Sequence, residues 1–139
     1  VDKEQFFKTY IGAIAHCSDM NMRFIDVGEG WAEMGLPYDT RFVGDPKTGV
    51  IHGGALSALM DSCCGAAVLN HPAGHGGTAT IGLRIDHLRA ATPGQEITVR
   101  ATCYHATRSV AFVRATAHDD DTETPVATAA GTFTIEAKT

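Results

Sequence analysis

The stretch from Ala55 to Leu69 constrains the fold more than any other, because small and apolar residues occur on every side of it. A helix that is apolar all round has no face to offer solvent and belongs in a core. A chain of 139 residues with 44% hydrophobic residues can bury such a helix in one domain without disulfides or metals. Gly53 and Gly54 open the helix, His52 precedes them, and one acid, Asp61, sits in its middle.

The remainder supplies what such a helix packs against. Residues 3–15 set Phe6, Phe7, Tyr10, Ile11 and Ile14 at helical spacing, which predicts an amphipathic helix lying on the rest of the fold. Residues 22–36 read as a hairpin turning at Gly28-Glu29-Gly30. A loop follows over 37–48, carrying Gly44, Asp45 and Pro46. After the helix, Asn70 to Gly77 is a breaking loop. Residues 78–88, 96–105, 110–118 and 126–135 are rich in Thr, Val, Ile and Ala and read as strands. Their breaks are Thr92-Pro93-Gly94, Ala106 to Ser109, and Asp119 to Asp121, the last expected to be a solvated turn. Short turns between successive strands imply antiparallel pairing. The expected layout is α+β, one antiparallel sheet wrapped around a long central helix. Residues 1–139 form a single domain, with 1–16 as a helix packing on it.

Composition narrows the function classes. A net charge of −5 argues against general nucleic-acid or anionic-membrane binding. No apolar run reaches the roughly 20 residues of a membrane-spanning helix. Val1 to Tyr10 mixes charges with aromatics and lacks the shape of a signal peptide. Cys17, Cys63, Cys64 and Cys103 follow neither a disulfide framework nor a zinc pattern, and read as reduced core thiols of a cytoplasmic protein. His71 and His75 are four apart, but Pro72 and Gly74 lie between them, so no metal site is expected.

The chemistry concentrates between His52 and Asp61. Two successive glycines are poor helix residues, at about 1 kcal/mol each relative to Ala. They serve either a tight turn or the close approach of another molecule. The first N–H groups of a helix have no internal partner and can hold a thioester oxygen. A carboxylate within an apolar helix is costly unless paired or functional. Asp61 therefore reads as a general base or a nucleophile, the alternative being an acid that meets solvent or an arginine. His52 can orient the loop, cap the helix or act as an acid, with a structural role favoured. Gly54 and Asp61 lie seven residues apart, roughly 10 Å along a helix axis. One carbonyl carbon cannot touch both at about 3 Å. Two antiparallel copies of the helix can, which predicts a dimer with two composite sites.

Ile51-His52-Gly53-Gly54 with Asp61 resembles the H-G-G-x6-D signature of the phenylacetate-pathway (PaaI-like) hotdog thioesterases. Ile85-Asp86-His87-Leu88-Arg89-Ala90-Ala91 and then Pro93-Gly94 resembles the strand end of the same family. The resemblance runs from about residue 20 onward. It implies a hotdog fold, hydrolysis of an acyl-CoA, no metal or cofactor beyond the CoA of the substrate, and a homodimer that pairs again into a tetramer. It implies that Gly53 or Gly54 polarises the thioester, that Asp61 of the partner chain attacks or activates water, and that Thr80 assists. Arg108-Ser109 falls near the expected CoA phosphates, and Arg84, Arg89 and Asp45 join the expected substrate contacts. The family's loop asparagine is matched by Asp45-Pro46, with one extra residue before His52. His87 replaces a usual Tyr and Ala91 a usual Pro, neither expected to touch the chemistry.

Two rival functions come from the same residues. A hotdog hydratase or dehydratase needs a His near the acid, and none shares the helix of Asp61. A non-catalytic acyl-CoA-binding module is the other, although an acid suits an apolar pocket poorly.

Overall fold

A computed structural model of the chain describes residues 2–74 and 76–136. Helix α1 spans Lys3–Ala13 and is capped by Asp2, whose carboxylate accepts from the N–H of Gln5. The helix predicted over 3–15 breaks at Ile14, which is extended, and a short helix α2 follows at Ala15–Asp19. Strands β1 (Arg23–Gly28) and β2 (Trp31–Leu36) form the expected hairpin. Its turn is narrowed to Glu29 and Gly30, where Gly30 takes φ 75°.

The segment read as a loop has more structure than expected. It folds into a 3-10 turn at Thr40–Phe42 and strand β3 at Val43–Asp45, which pairs with β4 at Val50–Ile51. Helix α3 runs from Gly53 to Leu69. Strands β5 (Thr80–His87), β6 (Ile97–Ala106), β7 (Val110–His118) and β8 (Ala127–Thr134) complete the chain.

Six strands make one antiparallel sheet in the order β1-β2-β6-β7-β8-β5. Its inner face alternates Ala32, Met34 and Leu36 on β2 with Ile97, Val99 and Ala101 on β6 and Ala111, Val113 and Ala115 on β7, all buried. Helix α3 lies on that face, chiefly on β2, β6 and β7, and buries Leu56, Leu59, Met60, Cys63, Cys64 and Val68 there. Truncating a residue such as Leu59 would cost about 2–5 kcal/mol. The α+β layout read from the sequence is the one adopted.

One side of α3 stays uncovered by the sheet. Gly54, Ala55, Ala58, Asp61 and Ser62 are half-buried or exposed and fall on one helical face. Gly65 belongs to that face too, but Tyr10 of α1 lies across it. Helix α1 is held by Phe24 of β1, whose ring meets Phe6, Phe7 and Tyr10 at centroid distances of 5.4, 4.8 and 5.4 Å. Among the described residues no helix is long and apolar enough to cross a membrane.

Candidate active site

Asp61 emerges on the uncovered face of α3 and is half-buried. Thr80, the first residue of β5, donates its hydroxyl to Asp61 Oδ1 at 2.7 Å. Thr80 sits there because β5 pairs with β8 through Thr80↔Phe133, which lays the start of β5 beside the middle of α3. Oδ2 of Asp61 has no donor among the described residues. Both side chains open onto a cleft of about 330 Å³ walled also by Tyr10, Ile14, Ala58 and Phe133. The carboxylate is thus oriented through one oxygen, with the other accessible.

A second cleft of about 280 Å³ opens at the start of α3, lined by Ile51, Gly53, Leu56, His87 and Leu88 among others. The β3–β4 ribbon leads into the helix start through His52, whose N–H donates to the carbonyl of Phe42 at 2.8 Å. His52 is the N-cap of α3, and its Nδ1 accepts from the N–H of Gly54 at 2.8 Å. Acceptance at Nδ1 places the ring proton on Nε2. The N–H of Gly54 is therefore engaged, whereas that of Gly53 meets no acceptor among the described residues. A free amide at the positive end of a 17-residue helix suits a polarised carbonyl oxygen or an oxyanion.

His87 lies at this helix start. A Cβ built on Gly53 would come within 3.3 Å of the His87 ring. The fold thus brings a residue expected to stand apart from the chemistry against Gly53. No local signal could have found it. Its position follows from β5 running beside α3, so that the strand begins at Asp61 and ends at Gly53.

The other expected contacts separate. Asp45 turns its carboxylate onto the N–H of Lys47 at 3.0 Å, inside the β3–β4 turn. Arg84 is 80% exposed on β5 and makes a loose pair with Asp86 at 3.3 Å. Arg108 and Ser109 are exposed in the β6–β7 turn. Arg89 borders the Gly53 cleft, but its guanidinium grips Asp119 with two bonds of 2.7 Å. It also donates to the carbonyl of Thr124 at 2.8 Å. This pairing commits the Arg89 guanidinium to Asp119 and Thr124. It also corrects the reading of Asp119 as part of a solvated turn, since that side chain is fully buried.

The remaining candidates are quiet. All four cysteines are free and buried, and burial pushes the Cys64 thiol up to about 12. Cys63 is raised as well, first by burial. Thiols held protonated are poor nucleophiles. His71 accepts from the N–H of Ala73 at 3.1 Å, and His75 lies outside the described residues.

The family model of the thioesterase superfamily matches residues 48–126, a span that holds both clefts' helix and β5. No curated protein matches the chain. Among solved structures, a protein from Pseudomonas aeruginosa is 31% identical with TM-score 0.84, over 95% of this chain and 98% of that one. A conserved protein from the same organism is also 31% identical, with TM-score 0.78 over 88% of this chain and 94% of that one. The E. coli PaaI protein from the phenylacetic acid degradation operon is 18% identical, with TM-score 0.85 over 98% of this chain and 94% of that one. At that identity the likeness is one of fold.

Proposed function

The chain belongs to the thioesterase superfamily, with the hotdog fold, and we propose that it hydrolyses the thioester of a small acyl- or aryl-CoA to the free acid and CoA. One observation carries the reading. The hydrogen-bonded carboxylate and hydroxyl of Asp61 and Thr80, and the free N–H of Gly53, stand at opposite ends of the same edge strand.

That placement favours a composite site between two copies. Strand β5 ends the sheet, so one row of its backbone groups lacks a strand partner. It exposes Ile81, which is 57% accessible. A two-fold axis at this edge would pair β5 with its own copy, antiparallel. The Thr80 end of one copy then meets the His87 end of the other. The uncovered small residues of α3, Gly54, Ala55 and Ala58, let the two helices approach. Asp61 of one protomer and Gly53 of its partner would then converge on one carbonyl, which the roughly 12 Å between them along one helix forbids.

In this site the N–H of Gly53 donates to the thioester oxygen as negative charge grows on it. Asp61 of the other protomer takes a proton from water as the water oxygen bonds to the carbonyl carbon. Collapse of the tetrahedral adduct breaks the C–S bond, and the CoA thiolate leaves and recovers the proton. Direct attack by Asp61 on the carbonyl carbon would instead break the C–S bond, expel the CoA thiolate and form an anhydride, which water then opens to the free acid and the restored carboxylate. No metal or cofactor enters either route. Arg84, Arg108 and Ser109, all exposed, are the proposed contacts for CoA phosphates, and two such dimers would make the expected tetramer.

Thiol release from a panel of short acyl- and aryl-CoA esters tests this. The wild type should turn over at least one class, and Asp61→Asn and Asp61→Ala should lose that activity. Wild-type rates in both variants would remove Asp61 from the chemistry.

His87 supports a second reading. A histidine beside Gly53 would face the partner's carboxylate across a β5–β5 pair, as hydration of an enoyl-CoA requires. Loss of the crotonyl-CoA chromophore without thiol release would favour that reaction over hydrolysis.

A further inference from the structure

The Asp61 cleft does not end at Asp61. It adjoins a second cleft of about 350 Å³ that runs under α1, and the two share Tyr10, Ile14 and Thr78 as walls. The far cleft is mostly apolar, with Phe6, Ala13 and Leu69 around it. Tyr10 stands where the two meet. Its hydroxyl donates to the carbonyl of Ser62 at 2.7 Å, which pins the ring across α3. From below, a Cβ on Gly65 would lie 3.2 Å from the Tyr10 hydroxyl and 3.9 Å from Phe133. Any residue larger than glycine would therefore push into the same gap.

We propose that Tyr10 is the stop that limits how long an acyl chain the site admits. The proposal rests on the reading of Asp61 as the group that acts on the thioester. Whatever is bonded to a carbonyl carbon at Asp61 must occupy the space beside it, and that space is the cleft ended by Tyr10. A cleft near 300 Å³ lies at the small end of ligand pockets and suits a short acyl or a single aryl group. Beyond Tyr10 lies an apolar channel of similar size into which a longer chain would pass if the ring were absent. Tyr10 is thus a specificity residue supplied by the N-terminal helix, outside the helix and strand that carry the chemistry.

The experiment measures binding of non-hydrolysable thioether analogues of acyl-CoA, from acetyl to dodecanoyl, by calorimetry on the full chain. In the wild type, affinity should rise by about fourfold per methylene and then stop at a short chain. In Tyr10→Ala the rise should continue past that stop by several methylenes. Tyr10→Phe, which keeps the ring, should stop where the wild type stops, and Gly65→Ala should stop earlier. A folded Tyr10→Ala with the wild-type limit overturns the proposal. Should Tyr10→Ala fail to fold, Tyr10→Leu and Gly65→Ala decide it, and an unmoved limit in both overturns it. Thiol release from the matching thioesters separates the two ideas. A Tyr10-dependent limit without cleavage would overturn hydrolysis and uphold the stop. Cleavage with a limit indifferent to residues 10 and 65 would do the reverse.

Discussion

Thr80 and Asp61 form a 2.7 Å hydrogen bond that joins the first residue of an edge strand to the uncovered face of the central helix. The bond holds one carboxylate oxygen and leaves the other for water or substrate. Removing the carboxylate should lower kcat by about 10²–10⁴-fold if it is a general base. Thr80→Val removes the donor while keeping the shape. Hydrogen bonds to charged groups contribute about 1.5–3 kcal/mol, so a loss of about tenfold to a hundredfold in kcat is expected. Thr80→Ser should restore most of it. Equal rates for Thr80→Val and the wild type would show that the bond only shapes the cleft.

Gly53 offers a cleaner separation of backbone from side chain. It is the first residue of α3, where proline fits a helix well. His52 before it has φ −61° and ψ 138°, the extended conformation that a following proline favours. Gly53→Pro should therefore fold while deleting an N–H that meets no acceptor among the described residues. Loss of an oxyanion donor costs about 10²–10³-fold in kcat. Gly53→Ala is the control, since it keeps the N–H yet adds the same crowding against His87. If Pro and Ala reduce kcat equally, the amide is not the oxyanion donor. His52→Ala should act differently again, lowering stability by about 1 kcal/mol through the lost cap.

The composite site makes activity depend on assembly. Ile81→Lys puts a charge on the exposed edge of β5, a device that blocks strand pairing. Gel filtration should report a smaller species, circular dichroism an intact fold, and the thiol assay no turnover. A monomer with full activity would refute the shared site.

These residues were not equally legible in the sequence. The central helix, the β1–β2 hairpin and the four later strands carry local patterns, a run of small apolar residues or an alternation closed by Gly and Pro, and they fold as those patterns say. Asp61 stood out because an acid in an apolar helix demands a reason. Thr80 came from the family resemblance, and the structure sets it against Asp61. His87, Tyr10 and the Arg89–Asp119 pair were illegible for one cause. Each owes its place to which strand lies beside which, with β5 returning along α3 to β8 and α1 folding back over Gly65. Side-chain periodicity reports which face is buried and says nothing of the neighbour across it. Asp119 misled because three successive acids usually mark a solvated turn, whereas here the first one turns inward.

Arg89 and Asp119 supply the stability test. The Asp119 carboxylate is fully buried, yet each oxygen is satisfied: Arg89 binds both, Thr92 donates its N–H and hydroxyl to Oδ2, and the N–H of Asp121 reaches Oδ1. Chiefly the Arg89 bonds, with help from Thr92 and Asp121, hold this carboxyl well below the usual carboxylate range. Arg89→Ala would strand a buried carboxylate and should clearly destabilise the fold. The sign with pH follows from a folded value below the unfolded one. The stabilisation is fully present above an unfolded value of about 3.9 and is lost as pH falls from there toward the folded value. Urea unfolding should therefore show the full gap between wild type and Arg89→Ala at about pH 7, and a smaller gap at about pH 3. A gap that is constant across that range would mean that Arg89 stabilises the fold by packing, with the charge on Asp119 playing no part.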